Sequence, residues 1–273
     1  MRLINRHPSR PVAALLALLP FAALVGAYVV ASNIRLADNP ADKLLPSLAT
    51  MGDSLWTMAF VPDRRSGDLL FWVDTLASLQ RLYTGLALSA LIALLVGCAA
   101  GFFPYARAAL GPFVAAFSLI PPITILPILF ITLGLGEAAK IGLVVIGTAP
   151  AMIRTLAQSI LAIPREELVK AQTLGASSWQ IITRVFLPQI WPVLITALRI
   201  GLIPAWIFLV SAEAIASTEG LGYRIFLVRR YLAMDVILPY VAWITLLAFL
   251  TDRILAFASR RLFAWAHLKG DAL

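Results

Sequence analysis

Residues 164–192 read PREELVKAQTLGASSWQIITRVFLPQIWP, a polar, helix-forming stretch between two long apolar ones. Arg165, Glu166, Glu167, Lys170, Gln172, Gln180 and Arg184 are too costly for hydrocarbon, so the stretch lies outside it. Pro164 suits a first helical position. Glu166 and Glu167 suit the first turn, where the helix dipole favours negative charge. Gly175 can end that helix in a left-handed conformation at little cost. Ser177 to Gln180 reads S-S-W-Q, a candidate capping box that opens a second helix, and Leu187-Pro188 closes it. Trp179, Ile182 and Phe186 then share one face at i, i+3 and i+7. The segment predicts a helix–turn–helix elbow over 164–188, and a rigid elbow on a membrane protein's surface suits the docking of something soluble.

The rest of the chain supplies the membrane. Of its 273 residues 61% are hydrophobic and only 13% charged, with a mean hydropathy of +0.90. A soluble domain carries about 25% charged residues. The composition predicts an all-α integral membrane protein, read as a single transmembrane domain over 1–273. A net charge of +8 would fit nucleic acid, but the basic residues stand at the ends of apolar runs, as membrane-flanking residues do. Nucleic acid is therefore excluded and lipid is the expected environment. The single Cys98 allows neither a disulfide nor a metal site within one chain. Arg2, Arg6 and Arg10 precede an apolar run that is long for a signal peptide, which predicts an uncleaved first span.

A crossing helix needs about 20 apolar residues. The runs predict about six spans, near 12–32, 82–103, 108–136, 141–163, 189–212 and 236–257, the last extended by snorkelling of Asp252 and Arg253. With the N-terminus inside, the inner segments hold twelve Lys/Arg and four acids, and the outer segments nine and ten. The positive-inside rule then puts both termini and the elbow in the cytoplasm. Leu44–Phe60 reads as an interfacial helix within a long outer loop, 33–81, where Phe71 and Trp72 suit interface anchors.

Catalytic sets are missing. No Gly-Lys dipeptide occurs, so the G-x-x-x-x-G-K-[ST] phosphate loop is absent and the chain cannot hydrolyse ATP through it. His7 and His267 are terminal, and no H-E-x-x-H or Cys/His cluster exists. The reading is therefore no enzyme, no catalytic residue and no metal. Charges near the membrane are the remaining candidates. Arg199, half-way along the fifth span, either contacts an anionic solute or a partner permease, or snorkels and meets backbone carbonyls. Glu213 and Glu219 either belong to an outer gate or are solvated acids beside Gly220–Tyr223. Glu137 and Lys140, three apart at a helix start, pair with each other.

The elbow resembles the cytoplasmic loop of permease subunits of bacterial ABC importers, whose signature is E-A-A, three residues, Gly, nine residues, I-x-L-P. Gly175 is followed after nine residues by Val185-Phe186-Leu187-Pro188. The E-A-A positions fall on Val169-Lys170-Ala171, of which only the last matches. LLPSLATMGDSL (44–55), SLIPPITILPILFITLGLGEAAK (118–140) and AEAIASTEGLGY (212–223) extend the likeness to the nitrate/sulfonate/taurine branch. The resemblance implies a type I ABC importer permease fold in the bacterial inner membrane. It implies cytoplasmic ATPase subunits that carry the ATP and Mg, a periplasmic binding protein and a second, identical permease copy. Docking would then involve Glu166, Glu167, Lys170, Ala171, Gly175, Ala176, Ser177, Trp179, Leu187 and Pro188. Residues 212–243 look more particularly like permeases associated with urea carboxylase-type enzymes, which implies urea or guanidine. Arg199 on the pathway would favour an anion, and Glu213 and Glu219 a guanidinium cation. The rival reading is a stand-alone secondary transporter or channel. Such proteins place ionisable groups deep in several spans, where this reading finds only Arg199.

Overall fold

The structure is a computed structural model that describes residues 8–64 and 66–267. Arg2, Arg6, His7, Lys269 and Asp271 lie outside the described residues, as does the side chain of Arg10. Eleven α-helices, one 3-10 turn (Arg229–Tyr231) and no strand occur among the described residues: α1 Arg10–Asp38, α2 Leu48–Phe60, α3 Leu70–Phe102, α4 Pro104–Phe117, α5 Pro122–Leu133, α6 Glu137–Leu161, α7 Arg165–Thr173, α8 Ser178–Ala216, α9 Leu221–Val228, α10 Met234–Leu262 and α11 Ala264–His267. Five of them, α1 from Pro11, α3, α6, α8 and α10, are long and apolar enough to cross a membrane. A sixth crossing is available if the α4–α5 pair counts as one.

That pair differs from the straight third span expected over 108–136. Its helices are bent by 97° at residues 118–121. Two adjacent prolines explain the break. Pro122 opens α5, and its ring drives Pro121 out of the helical region, to ψ 118°. The second span also differs: α3 begins at Leu70 instead of near 82, so the predicted outer loop is shorter. Its first turns carry Asp74 and Arg81, which read as loop residues but are buried. Asp252 is likewise not at a helix end, because α10 continues to Leu262.

The chain divides into two compact units, Met1–Leu70 with Val228–Val241, and Phe71–Leu227 with Ala242–Leu273. In the first, the 39–47 connection is fastened to α1. Tyr28 Oη donates to the Pro46 carbonyl (2.7 Å), Ser32 Oγ to that of Leu45 (2.9 Å) and Arg35 Nε to Asp42 Oδ2 (2.5 Å). The Leu44 amide and then the Arg35 guanidinium hold the Asp42 carboxyl below its ordinary range. Ser47 caps α2 by accepting from Thr50 N, and Ser54 donates to Asp235 at 2.5 Å. The helix expected within 44–60 is thus present.

In the second unit α6 is central, with α3 on one side and α8 on another. Small residues on α3 set its approach: Gly85, Ser89, Ala93, Gly97 and Gly101, each four apart. A four-residue step overshoots an α-turn by about 40°. A π-turn at Ala93–Gly97, which takes an extra residue, keeps the stripe facing α6. A Cβ on Gly97 would lie 3.0 Å from the Ile153 carbonyl oxygen, and one on Gly85 2.7 Å from Val144 Cγ1. Between them Ser89 and Thr148 share an interhelix hydrogen bond of 2.7 Å. Close approach by small residues and polar contacts is how helices adhere where lipid removes the hydrophobic drive. Gly97→Val is therefore expected to destabilise the solubilised chain by about 1–3 kcal/mol through overpacking. Gly26→Val, where nothing lies within 4 Å, should leave the melting temperature unchanged.

Candidate functional site

The elbow forms as a chain of local hydrogen bonds. α7 runs Arg165–Thr173, so Pro164 is its cap and not its first residue; its ψ of 135° is extended. Gly175 has φ +79°, a conformation unfavourable to residues with a Cβ. Its N–H donates to the Gln172 carbonyl (3.0 Å), and Ala176 N–H donates to that of Ala171 (3.1 Å). This pair of bonds is a Schellman motif, which satisfies the carbonyls left open at a helix end. The capping box is present: Gln180 N–H donates to Ser177 Oγ (3.3 Å), and Ser177 N–H to Gln180 Oε1 (2.8 Å). The turn is rigid because both helix ends that meet there are capped.

The second helix differs from expectation at its far end. Leu187-Pro188 does not close it; α8 runs on to Ala216. A π-turn at Ile182–Phe186 directly precedes Pro188. Proline inside an α-helix removes one bond and clashes with the carbonyl four residues back, and the widened turn accommodates both. Exposure splits the predicted face. Trp179 is 71% exposed, whereas Ile182 and Phe186 line a groove of about 740 Å³ together with Phe102, Phe103 and Leu168. Phe186 and Phe102 have ring centroids 5.2 Å apart. Glu166, Glu167 and Lys170 are exposed, and no α7 residue is buried. Gln189 Nε2 donates to Glu167 Oε2 (2.9 Å), bracing α7 to α8. Leu174, at the tip, is 79% exposed. Such a device is held firmly in shape and presents an apolar tip flanked by charge.

A second constellation lies at the opposite end of α3, about 32 Å along the helix from Phe102. Asp74, Ser78 and Arg81 are buried on one face of α3. Arg81 Nε and Nη2 donate to Glu137 (2.5 and 2.9 Å). Its Nη1 donates to Glu213 Oε1 (2.8 Å) and the Glu219 carbonyl (2.9 Å). Lys140 Nζ donates to Glu137 Oε1 at 2.8 Å, the pairing expected from their spacing. Glu213 has no exposed surface and also accepts from Ser78 Oγ and Gly222 N (both oxygens of Glu213 within 2.9 Å of Ser78). Arg224 Nε donates to Asp74 Oδ2 (2.7 Å).

The sequence-predicted pathway residues are therefore not together. Glu213 is enclosed in the ion network. Glu219 is half-exposed, 3.5 Å from Arg81 Nη2. Arg199 is elsewhere, bidentate with Asp252 (2.7 and 3.0 Å), both side chains 36% exposed. Arg199 and Asp252 neutralise each other between α8 and α10. Sequence reasoning missed Asp74, Ser78, Arg81 and Arg224. The available signal was the i, i+4, i+7 spacing of Asp74, Ser78 and Arg81 in an otherwise apolar run. Glu213→Ala is expected to cost about 3–5 kcal/mol by leaving Arg81 short of a buried partner. Folded yield in detergent checks it, with Glu219→Ala nearly neutral by contrast.

Comparison with known proteins agrees with this geometry. Residues 69–264 match the family model for the binding-protein-dependent transport system inner membrane component. The taurine transport system permease protein TauC of Escherichia coli (strain K12) is 37% identical over 199 residues, 72% of each chain. The bicarbonate transport system permease protein CmpB of Synechococcus elongatus is 28% identical, over 70% of this chain and 69% of its own. The putative aliphatic sulfonates transport permease protein SsuC of Bacillus subtilis is also 28% identical, with the same coverage. In fold, the chain resembles the MetNI methionine ABC transporter in an inward-facing conformation, with a TM-score of 0.59. That likeness has 23% sequence identity and covers 71% of this chain and 94% of the other. The chain belongs to the binding-protein-dependent transport system inner membrane component family, and is a multi-span permease subunit of an ABC transporter, not an enzyme.

Proposed function

We propose that the chain is the permease of an ATP-driven importer for a small oxyanion such as a sulfonate, and that two identical copies enclose the route. A periplasmic binding protein delivers the solute to the mouth near Glu219. Two cytoplasmic ATPase subunits, which carry the ATP and Mg, receive the elbows, and both chain termini lie in the cytoplasm. The observation that carries this reading is the elbow itself. A doubly capped turn at Gly175–Gln180, braced by Glu167–Gln189, presents Leu174 and Trp179 to the aqueous side. Its rigidity lets a movement of the ATPase become a movement of α8. ATP biases the cycle only through its differing affinity for the two states.

The anion is favoured over guanidine or urea by two facts. The relatives above are named for taurine, aliphatic sulfonates and bicarbonate. Of the two carboxylates a cation would call on, Glu213 is enclosed and already satisfied by Arg81, Ser78 and Gly222, which leaves the half-exposed Glu219. Arg199, 36% exposed, is the pathway residue proposed to meet the anion, which must displace Asp252 from it.

Two outcomes follow. Gly175→Val carries a strain of about 1–2 kcal/mol at a left-handed position. The chain should insert and assemble, yet lose solute uptake and solute-stimulated ATP hydrolysis; normal uptake by a well-expressed variant contradicts the coupling role. For the solute, Arg199→Gln should lower taurine uptake by about tenfold or more, the loss of a charge-assisted hydrogen bond. Glu219→Gln should leave it unchanged. The reverse ranking, with guanidine as the solute moved, would assign a cation.

A further inference from the structure

We infer that Asp74, Ser78 and Arg81 are positioning residues of the transport cycle, holding the 217–222 connection shut against α3 in every state. The ends of α3, α6 and α8 remote from the elbow then move as one body. This inference rests on the permease reading above.

The connection is held by side chains and not by a backbone ladder. Gly220 N–H donates to Asp74 Oδ1 (2.9 Å), Leu221 N–H to Ser78 Oγ (2.8 Å) and Gly222 N–H to Glu213 Oε2 (2.8 Å). The carbonyl of Glu219 accepts from Arg81 Nη1 at 2.9 Å. These amides open α9, where the first N–H groups of a helix have no acceptor of their own. Three acceptors in register supply what the helix lacks, and two of them come from successive turns of α3.

Sterics leave the connection no slack. A Cβ on Gly222 would lie 2.7 Å from the Val210 carbonyl oxygen and 2.9 Å from Val210 Cα, both backbone atoms. Gly220 has φ +123°, and a Cβ there would lie 2.6 Å from Glu213 Cδ. The connection therefore rests directly on α8.

Opening it would be costly because the groups beneath are charged and enclosed. Asp74 and Glu213 have no exposed surface and Arg81 has 2%. Parting them together would leave several buried charges with too few partners. Arg81 also ties in α6 through Glu137, so no helix of the three can leave alone. The irregular points of these helices lie elsewhere. The π-turn at Ala93–Gly97, and Pro192 and Pro204 within α8, stand between this lock and the elbow, and the π-turn at Ile182–Phe186 lies within the elbow. Motion imposed at the elbow bends the helices at those irregular points and carries the locked end as one block.

The test is hydrogen exchange at Gly220, Leu221 and Gly222 in the assembled complex, without nucleotide and with ATP trapped, alongside the ratio of ATP hydrolysed to solute moved. Wild-type rates should agree between the two states within about threefold. Ser78→Ala, which orphans the Leu221 amide, should speed its exchange about tenfold. It should also raise the ATP-to-solute ratio while hydrolysis per complex persists. A purely structural role would lower transport and hydrolysis together and leave that ratio unmoved. Exchange in the wild type that differs more than threefold between states would make the connection a gate and overturn the inference, as would an unchanged ratio in Ser78→Ala. The permease reading is judged separately, by whether solute stimulates hydrolysis in the wild-type complex at all.

Discussion

A guanidinium group enclosed among carboxylates governs this molecule. Arg81 is 2% exposed in a helix flanked by apolar residues, and a lone charge there would be prohibitive. Its donors reach Glu137, Glu213 and the Glu219 carbonyl, so three other stretches of chain must converge on it. The start of α3 at Leu70, the helix start at Glu137 and the position of α9 all depend on that convergence. In the membrane such a network also supplies specificity of packing, because apolar faces alone slide against lipid as readily as against each other.

The two ends of the same unit are built on opposite principles. The Arg81 end is dense, charged within and bound by long-range hydrogen bonds. The elbow end is held by bonds between near neighbours and leaves Leu174 and Trp179 in the open. A part that must meet a partner needs a defined shape without being buried beforehand. A part that must carry the resulting motion needs to resist deformation. The π-turns between them are the places where a helix can change its winding at low cost.

The elbow was legible in the sequence because its signals are local. A glycine at φ +79° and a serine three residues before a glutamine each write their geometry within one turn. Local rules misplace Leu187-Pro188, since nothing in the residues announces that a π-turn will carry the helix through the proline. The apolar runs marked five of the spans, while Pro121-Pro122 broke the sixth. The ion network was illegible for a different reason. Arg81 and Glu213 are 132 residues apart, and a charge with an unseen partner reads as a loop residue. Arg199 was read within its span but without its partner, because Asp252 is 53 residues away.

Membership of the permease family implies an ATPase and a binding protein as partners, and the elbow is the part proposed to meet the first. A photoreactive side chain at Leu174, activated in membranes that contain the complete transporter, reads that contact. It should link to the ATPase subunit, at a yield that changes when ATP is trapped. Linkage to the periplasmic binding protein or to lipid alone would contradict both the orientation and the coupling role.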